Sequence, residues 1–238
     1  MSGLSAASWS DIEAMRAQIG AGKPASVQEA AEQFTALFAT RFSTVVLARL
    51  FLVVPLGRLP PRDGAFARAL AGDDPRLTDE TPVLSLLGTH GMSAEWNDRA
   101  RSAGHLAIPL LDRESVQAAP MIARLLVDLA VDLGKIGSGD SISTRRMVGG
   151  RNAMFYVPDA RTTRDDRGRL IIQPEFAAKH GVESVFGMGG SYLDGSLAIA
   201  IVFCAERIER EDADRYGSFI NSFKMATLEL MNDGRIWT

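Results

Sequence analysis

From Thr44 to Val54 the chain runs almost unbroken through apolar side chains, and Arg49 is the single charge inside the run. Val45, Val46, Val53 and Val54 are β-branched and Phe51 is aromatic, side chains that fit a pleated surface. Pro55, which cannot donate to a sheet, ends the pattern. The run therefore reads as a largely buried strand. Extended to Leu56 it still falls short of the roughly 20 residues that span a bilayer, and no membrane partner is expected. A strand this apolar needs a core around it. With 46% hydrophobic residues and 11 Phe among 238 residues, the chain can supply one.

A length of 238 residues allows one to two domains at roughly 150 residues each. No linker rich in Pro, Ser and Gly divides it, so residues 26–238 are expected to form a single domain with N- and C-terminal helices. Residues 1–25 are expected to be a flexible or loosely packed N-terminal segment. Val27, Ala30, Phe34, Leu37, Phe38 and Phe42 recur at helical steps, with Ser26 as N-cap and Glu29 completing a capping box. Loop signals at Pro60-Pro61, Asp63-Gly64 and residues 72–75 surround a short helical piece at 65–71. A second strand is predicted at 82–87, ending at Gly88, followed by a polar, irregular stretch to residue 110. Helix returns after Pro120 with a stripe of Ile122, Leu125, Leu126, Leu129 and Leu133, stopped by Gly134; residues 137–140 read as a turn.

The second half is richer in strands. Segments 153–157, 169–172, 182–188 and 197–204 have strand character, and Asp194-Gly195 between the last two is a hairpin signal, with Gly189-Gly190 lengthening the loop. Residues 212–231 form a closing amphipathic helix through Tyr216, Phe219, Ile220, Phe223 and Leu230. Strands outnumber interspersed helices here, which favours an α/β chain of the α+β kind, an antiparallel sheet flanked by helices, over a doubly wound parallel sheet.

On these residues the chain resembles GAF-type sensor domains, in a GAF/PAS-like arrangement and of the divergent kind found in bacterial signalling proteins. The matching segments are 152–160, 175–190, 197–203 and the terminal helix, with 81–88 and 95–105 as further parts of an extended sensor module. The resemblance implies a central antiparallel sheet, a small-molecule pocket between sheet and helices, and dimers through terminal helices. It also implies a role in signal transduction with an unidentified small-molecule ligand and a signalling partner protein. Because some GAF-fold proteins reduce oxidised methionine, a small redox enzyme using Cys204 is an alternative, and a protein-interaction adaptor with a vestigial pocket is another.

The segment 95–105 is richest in side chains that recognise polar ligands. Trp96 offers a flat apolar wall, Asn97 can donate and accept, and Arg99 can grip a carboxylate or phosphate. Together with His105, Phe155, Tyr156 and Phe186 these residues are the candidate ligand-binding set; the plainer reading is a surface segment with Trp96 docked on the core. His90, His105 and His180 show no paired metal spacing, so no metal is assigned; haem held by His105 is the sharpest cofactor reading. Cys204, the single cysteine, follows Ile201, Val202 and Phe203 and reads as a buried small hydrophobe. It excludes an internal disulfide and, with no signal-peptide pattern in residues 1–10, points to a cytoplasmic location. Arg145, Arg146, Arg151, Arg161, Arg164, Arg167 and Arg169 form a local basic excess, but without interleaved aromatics no nucleic acid is expected, consistent with a net charge of -3. The glycines at 187–190 lead into a hairpin, not a helix N-terminus, and are not a phosphate loop. No catalytic constellation is assigned, and the helical stripes, chiefly core, are expected to contribute to a homodimer.

Overall fold

A computed structural model describes residues 2–72, 74–132 and 154–238. The apolar run becomes β1 (Val45–Pro55), one of the two central strands of a six-stranded sheet. It pairs antiparallel with β2 (Pro82–Gly91) on one side and β6 (Leu197–Cys204) on the other. Beyond β2 lies β3 (Ala107–Pro109); beyond β6 lie β5 (Ser184–Ser191) and β4 (Met154–Val157), giving the order β3-β2-β1-β6-β5-β4. Each pairing is antiparallel.

Strand side chains alternate between faces, and this sheet covers both. Ala48, Leu50 and Leu52 of β1, with Ala198, Ala200, Val202 and Cys204 of β6, join one core. It is roofed by α1 (Trp9–Ala21), α2 (Val27–Arg41) and α8 (Phe219–Asn232). Leu47, Phe51 and Val53, with Leu197, Ile199, Ile201 and Phe203, join a second core under α4 (Arg113–Ala118), α5 (Pro120–Asp128) and α6 (Pro174–His180). Small residues on the first face let helices approach closely. At Gly88 of β2 an added Cβ would lie 2.3 Å from the carbonyl oxygen of Ala31, so α2 can cross the strand there only over a glycine.

The hairpin forms as read. Residues 192–196 join β5 to β6, Tyr192 N–H donates to the Ser196 carbonyl at 2.8 Å, and Gly195 takes φ +86°. Other boundaries differ. Gly189 and Gly190 belong to β5 itself, where Leu129 and Lys224 pack into the space a Cβ would take. β2 continues past Gly88 to Gly91 because its register shifts opposite Leu50 and Phe51, inserting Leu87 as an extra residue. Pro61, Asp63 and Gly64, read as loop, open α3 (Pro61–Leu70), with Pro61 at the first helical turn where its missing N–H is harmless. Residues 169–172 are not a strand: apart from a bridge between Arg164 and Leu170 they have no ladder, and Ile171 and Ile172 are buried from an irregular segment.

The closing helix is two helices, α7 (Arg210–Asp214) and α8. Between them the chain turns so that Tyr216 points inward and donates to the Leu4 carbonyl at 2.7 Å. Leu4 also marks the difference at the N-terminus. Within the segment expected to pack loosely, Ser8 and Asp11 cap α1 reciprocally, and Leu4, Ile12 and Met15 are buried. The i, i+3 spacing of Ile12 and Met15 is a helical signal too short to outweigh the polar residues around it. At α2 the Ser26 hydroxyl accepts from Glu29 N–H at 3.0 Å, but the Glu29 carboxylate takes the Ala25 amide, so the capping box is incomplete. Leu133, Gly134, the turn at 137–140 and Ala153, at the start of the expected 153–157 strand, lie outside the described residues, as do Arg145, Arg146 and Arg151.

Candidate functional site

Arg49 is the one charged side chain of β1. The two-residue period places it between Leu47 and Phe51, on the second sheet face, beside Ile201 and Phe203 of β6. A cavity of about 560 Å³ opens over these residues. Its far wall comes from the start of α5 through Pro120, Met121 and Ile122, from Ile171 and Ile172, and from Phe176 and His180 of α6. Trp96 and His105 close it from the segment between β2 and β3.

The aromatic wall is interlocked. Trp96 meets His180 edge-on at 4.6 Å between ring centroids and Phe176 at 5.8 Å, and Phe176 meets Phe203 edge-on at 5.4 Å. Such tilted contacts favour defined ring positions. Gly91 holds Trp96 in place from below: an added Cβ there would stand 2.9 Å from the indole ring. The Gly91 N–H donates to Asn97 Oδ1 at 2.9 Å, pinning the 3-10 turn Ala94–Asn97 that carries Trp96.

The polar groups are few. Arg49 Nε is buried and has no hydrogen-bond partner among the described residues. Burial pulls its guanidinium down to about 10, which leaves it charged at neutral pH. Thr89, directly opposite Arg49 on β2, is buried and its hydroxyl also has no partner among the described residues. Burial first, and then the charge of Arg49, push His105 down to about 4, so its ring is neutral at pH 7. Among the described residues of the wall there is no carboxylate. The arrangement can therefore enclose an apolar body and offer it the cation of Arg49 and the neutral imidazole of His105, with Gln173 and His180 as further polar side chains of the wall. Among the described residues no group of three His, Cys, Asp or Glu could hold a metal ion.

The candidate residues divide between this cavity and other places. Trp96 and His105 line it. Asn97 supports it through Gly91 and is not part of its wall. Arg99 turns away: it forms a buried ion pair with Asp63 of α3, donates to the Leu86 carbonyl at 2.5 Å and lies 5.6 Å from the Trp237 ring. Phe155 is buried in the core of the cavity side without reaching the wall. Tyr156 and Phe186 belong to the opposite face, where Tyr156 donates to the Ile208 carbonyl at 2.7 Å and Phe186 packs on Tyr216. Neighbours such as 155 and 156 on one strand cannot both face one pocket. Cys204 also lies on the helical face, fully buried, and burial pushes its thiol well above the usual range. Of the basic cluster, Arg169 pairs with Asp165 of its own loop at 2.7 Å, and Arg167 donates to Gln117 of α4 at 2.8 Å.

Arg49, Phe176, His180, Ile201 and Phe203 are absent from the candidate set. The available signal for Arg49 was its isolation in an apolar run, which marks a charge that must find either a partner or a ligand.

No protein-family model and no curated protein matches the chain. Solved structures are similar to it in fold. Free methionine-R-sulfoxide reductase from Neisseria meningitidis, solved with its substrate, aligns at 9% identity over 93% of this chain and 89% of that one, with TM-score 0.49. The GAF domain of an Acinetobacter phosphoenolpyruvate-protein phosphotransferase aligns at 11% identity over 93% and 92%, TM-score 0.46. A phycocyanobilin-bound GAF domain of a cyanobacterial phytochrome aligns at 11% over 93% and 96%, TM-score 0.49. At such identities the likeness concerns the fold alone. The antiparallel sheet flanked by helices is itself the arrangement expected from the sequence. Among the described residues no helix is long and apolar enough to cross a membrane.

Proposed function

We propose that the chain is a small-molecule-sensing domain of the GAF-like kind, acting in bacterial signalling through ligand binding and dimer contacts. The observation that carries this reading is the cavity over β1 and β6: about 560 Å³, lined mostly by apolar side chains, with Arg49 as its charged group. That size and make-up suit a small organic ligand. The same two strands present Leu47, Phe51, Ile201 and Phe203 to the cavity and Leu50, Ala200 and Val202 to the helical layer. A strand adjustment under a ligand thereby reaches α2 and α8, where a signalling partner would read it.

Dimer contacts through the first and last helices are part of the proposal. Phe34, Phe38, Tyr216, Phe219 and Phe223 are already buried within one chain. The surface left for a second copy is the groove rim at Ile19 and Leu37, with the exposed Met225 nearby on α8. A two-chain mass by light scattering is expected at micromolar concentration; a one-chain mass removes the dimer contacts and leaves the ligand reading standing.

A thermal-shift screen of neutral and charged metabolites tests the ligand reading. At a concentration 100 times Kd, a true ligand stabilises the fold by about 2.7 kcal/mol. Met121→Trp, which intrudes on the cavity from α5, is expected to abolish that shift without lowering the unliganded Tm by more than a few degrees. If no compound of either charge class stabilises the wild type, the reading is wrong.

A further inference from the structure

We propose that the cavity takes an organic monoanion, a carboxylate carried on a flat apolar body, with Arg49 as the residue that binds the carboxylate. This rests on the reading of the cavity as a binding site and adds the chemical class of its occupant.

Three features of the site lead there. Arg49 is a permanent cation whose buried Nε has no partner among the described residues, and its cross-strand neighbour Thr89 has a buried hydroxyl in the same condition. Buried polar atoms are nearly always hydrogen-bonded in folded proteins, and of these two Arg49 lines the cavity, where a ligand's polar group would supply the missing partner. An arginine fork matches a carboxylate, with two parallel N–H donors for two oxygens.

The sign and the amount of charge follow from the surroundings. Among the described residues of the wall there is no acidic side chain to neutralise Arg49, so the cavity carries a net positive charge. His105 beside it is neutral at pH 7 and adds a donor and an acceptor without adding charge. The first turn of α5 borders the cavity at Pro120, Met121 and Ile122, and the positive end of its dipole contributes in the same direction. One guanidinium balances one negative charge; a dianion such as a phosphomonoester would bury a second charge without a partner.

The body of the ligand is set by the opposite wall. Trp96, Phe176 and Phe203 present ring faces and edges that are already packed together, and Ile171 and Ile201 add apolar surface. A flat aromatic or conjugated body meets such a wall better than a polyhydroxylated one, which would leave its hydroxyls unsatisfied.

The test is calorimetric titration of the full chain with 1-naphthaleneacetate and with its neutral amide, 1-naphthaleneacetamide. The pair shares the apolar body and differs in the charge. The wild type is expected to bind the acid at least tenfold more tightly than the amide. Arg49→Met, which keeps an unbranched apolar stem but removes the guanidinium, should lose that preference while still binding the amide. Equal affinity of the wild type for acid and amide, or a preference that survives in Arg49→Met, overturns the carboxylate assignment and leaves the cavity as a binding site. If neither probe binds but neutral compounds stabilise the chain in the thermal screen, the assignment alone falls; if nothing binds at all, both fall. Should Arg49→Met not fold, the ratio of acid to amide affinity in the wild type decides by itself.

Discussion

His105 shows how one buried group ties the cavity to the stability of the fold. An imidazole in a disordered chain titrates near 6.5, whereas burial and the Arg49 charge hold His105 near 4. The unfolded chain therefore takes up a proton that the folded one refuses, and stability declines as the pH falls from about 6.5 to about 4. The full effect amounts to at most about 3 kcal/mol, reduced by the partial exposure of the ring. His105→Gln should flatten that part of the profile, measured as the difference between urea midpoints of variant and wild type at pH 7 and pH 4.5. An unchanged difference would show that His105 titrates normally in the folded state. Arg99, a charged residue of the same segment, has a different part. Its buried pairing with Asp63 makes it structural, and removing one partner of such a pair typically costs about 3–5 kcal/mol. Sequence reasoning valued Arg99 and His105 alike because both stand in a polar loop; what separates them is the position of Asp63, 36 residues away in the chain.

At the level of elements, the packing of α2 on β2 depends on a single missing side chain. The Ala31 carbonyl oxygen and carbon would stand 2.3 and 2.4 Å from a Cβ at Gly88. Both atoms are helix backbone and cannot rotate away. Gly88→Ala is therefore expected to destabilise by about 1–3 kcal/mol, read as a lower denaturant midpoint. Because α2 lies on the face opposite the cavity, ligand affinity should change much less than stability; parallel losses in both would mean that the two faces are coupled more tightly than the strand geometry implies. The N-terminal segment is attached at an element end as well. Burial opposes the charge of Glu206, but hydrogen bonds from Thr44, Ser5 and the Leu4 amide outweigh it and hold the carboxyl below its usual range. Nothing in the spacing of Leu4, Thr44 and Glu206 announces this clasp, since it exists only once β1 and β6 are paired.

Across the whole molecule, two cores share one sheet, and the central strands belong to both. Cys204 reports on this arrangement. It is fully buried between β6 and the helical layer, and burial strongly disfavours its thiolate. A thiol reagent should react with it only when the sheet and helices separate, so its labelling rate should follow the fraction unfolded across a guanidinium titration. Rapid labelling under native conditions would restore the redox reading. The amino-acid sequence alone determined a buried strand over 44–54, the hairpin at Asp194-Gly195, the antiparallel α+β class and the apolar character of Cys204. These depend on local patterns: β-branched runs, a glycine that accepts positive φ, and periods of two or 3.6 residues. Only the tertiary structure decided which aromatic residues share a pocket. Trp96, Phe176 and Phe203 are far apart in the chain and meet through strand order and loop closure, while Tyr156 and Phe186 face the other way by the parity of their strands. Tertiary structure likewise decided that Arg49 Nε has no partner among the described residues, because a charge in an apolar run is answered or left open by what the rest of the fold brings to it.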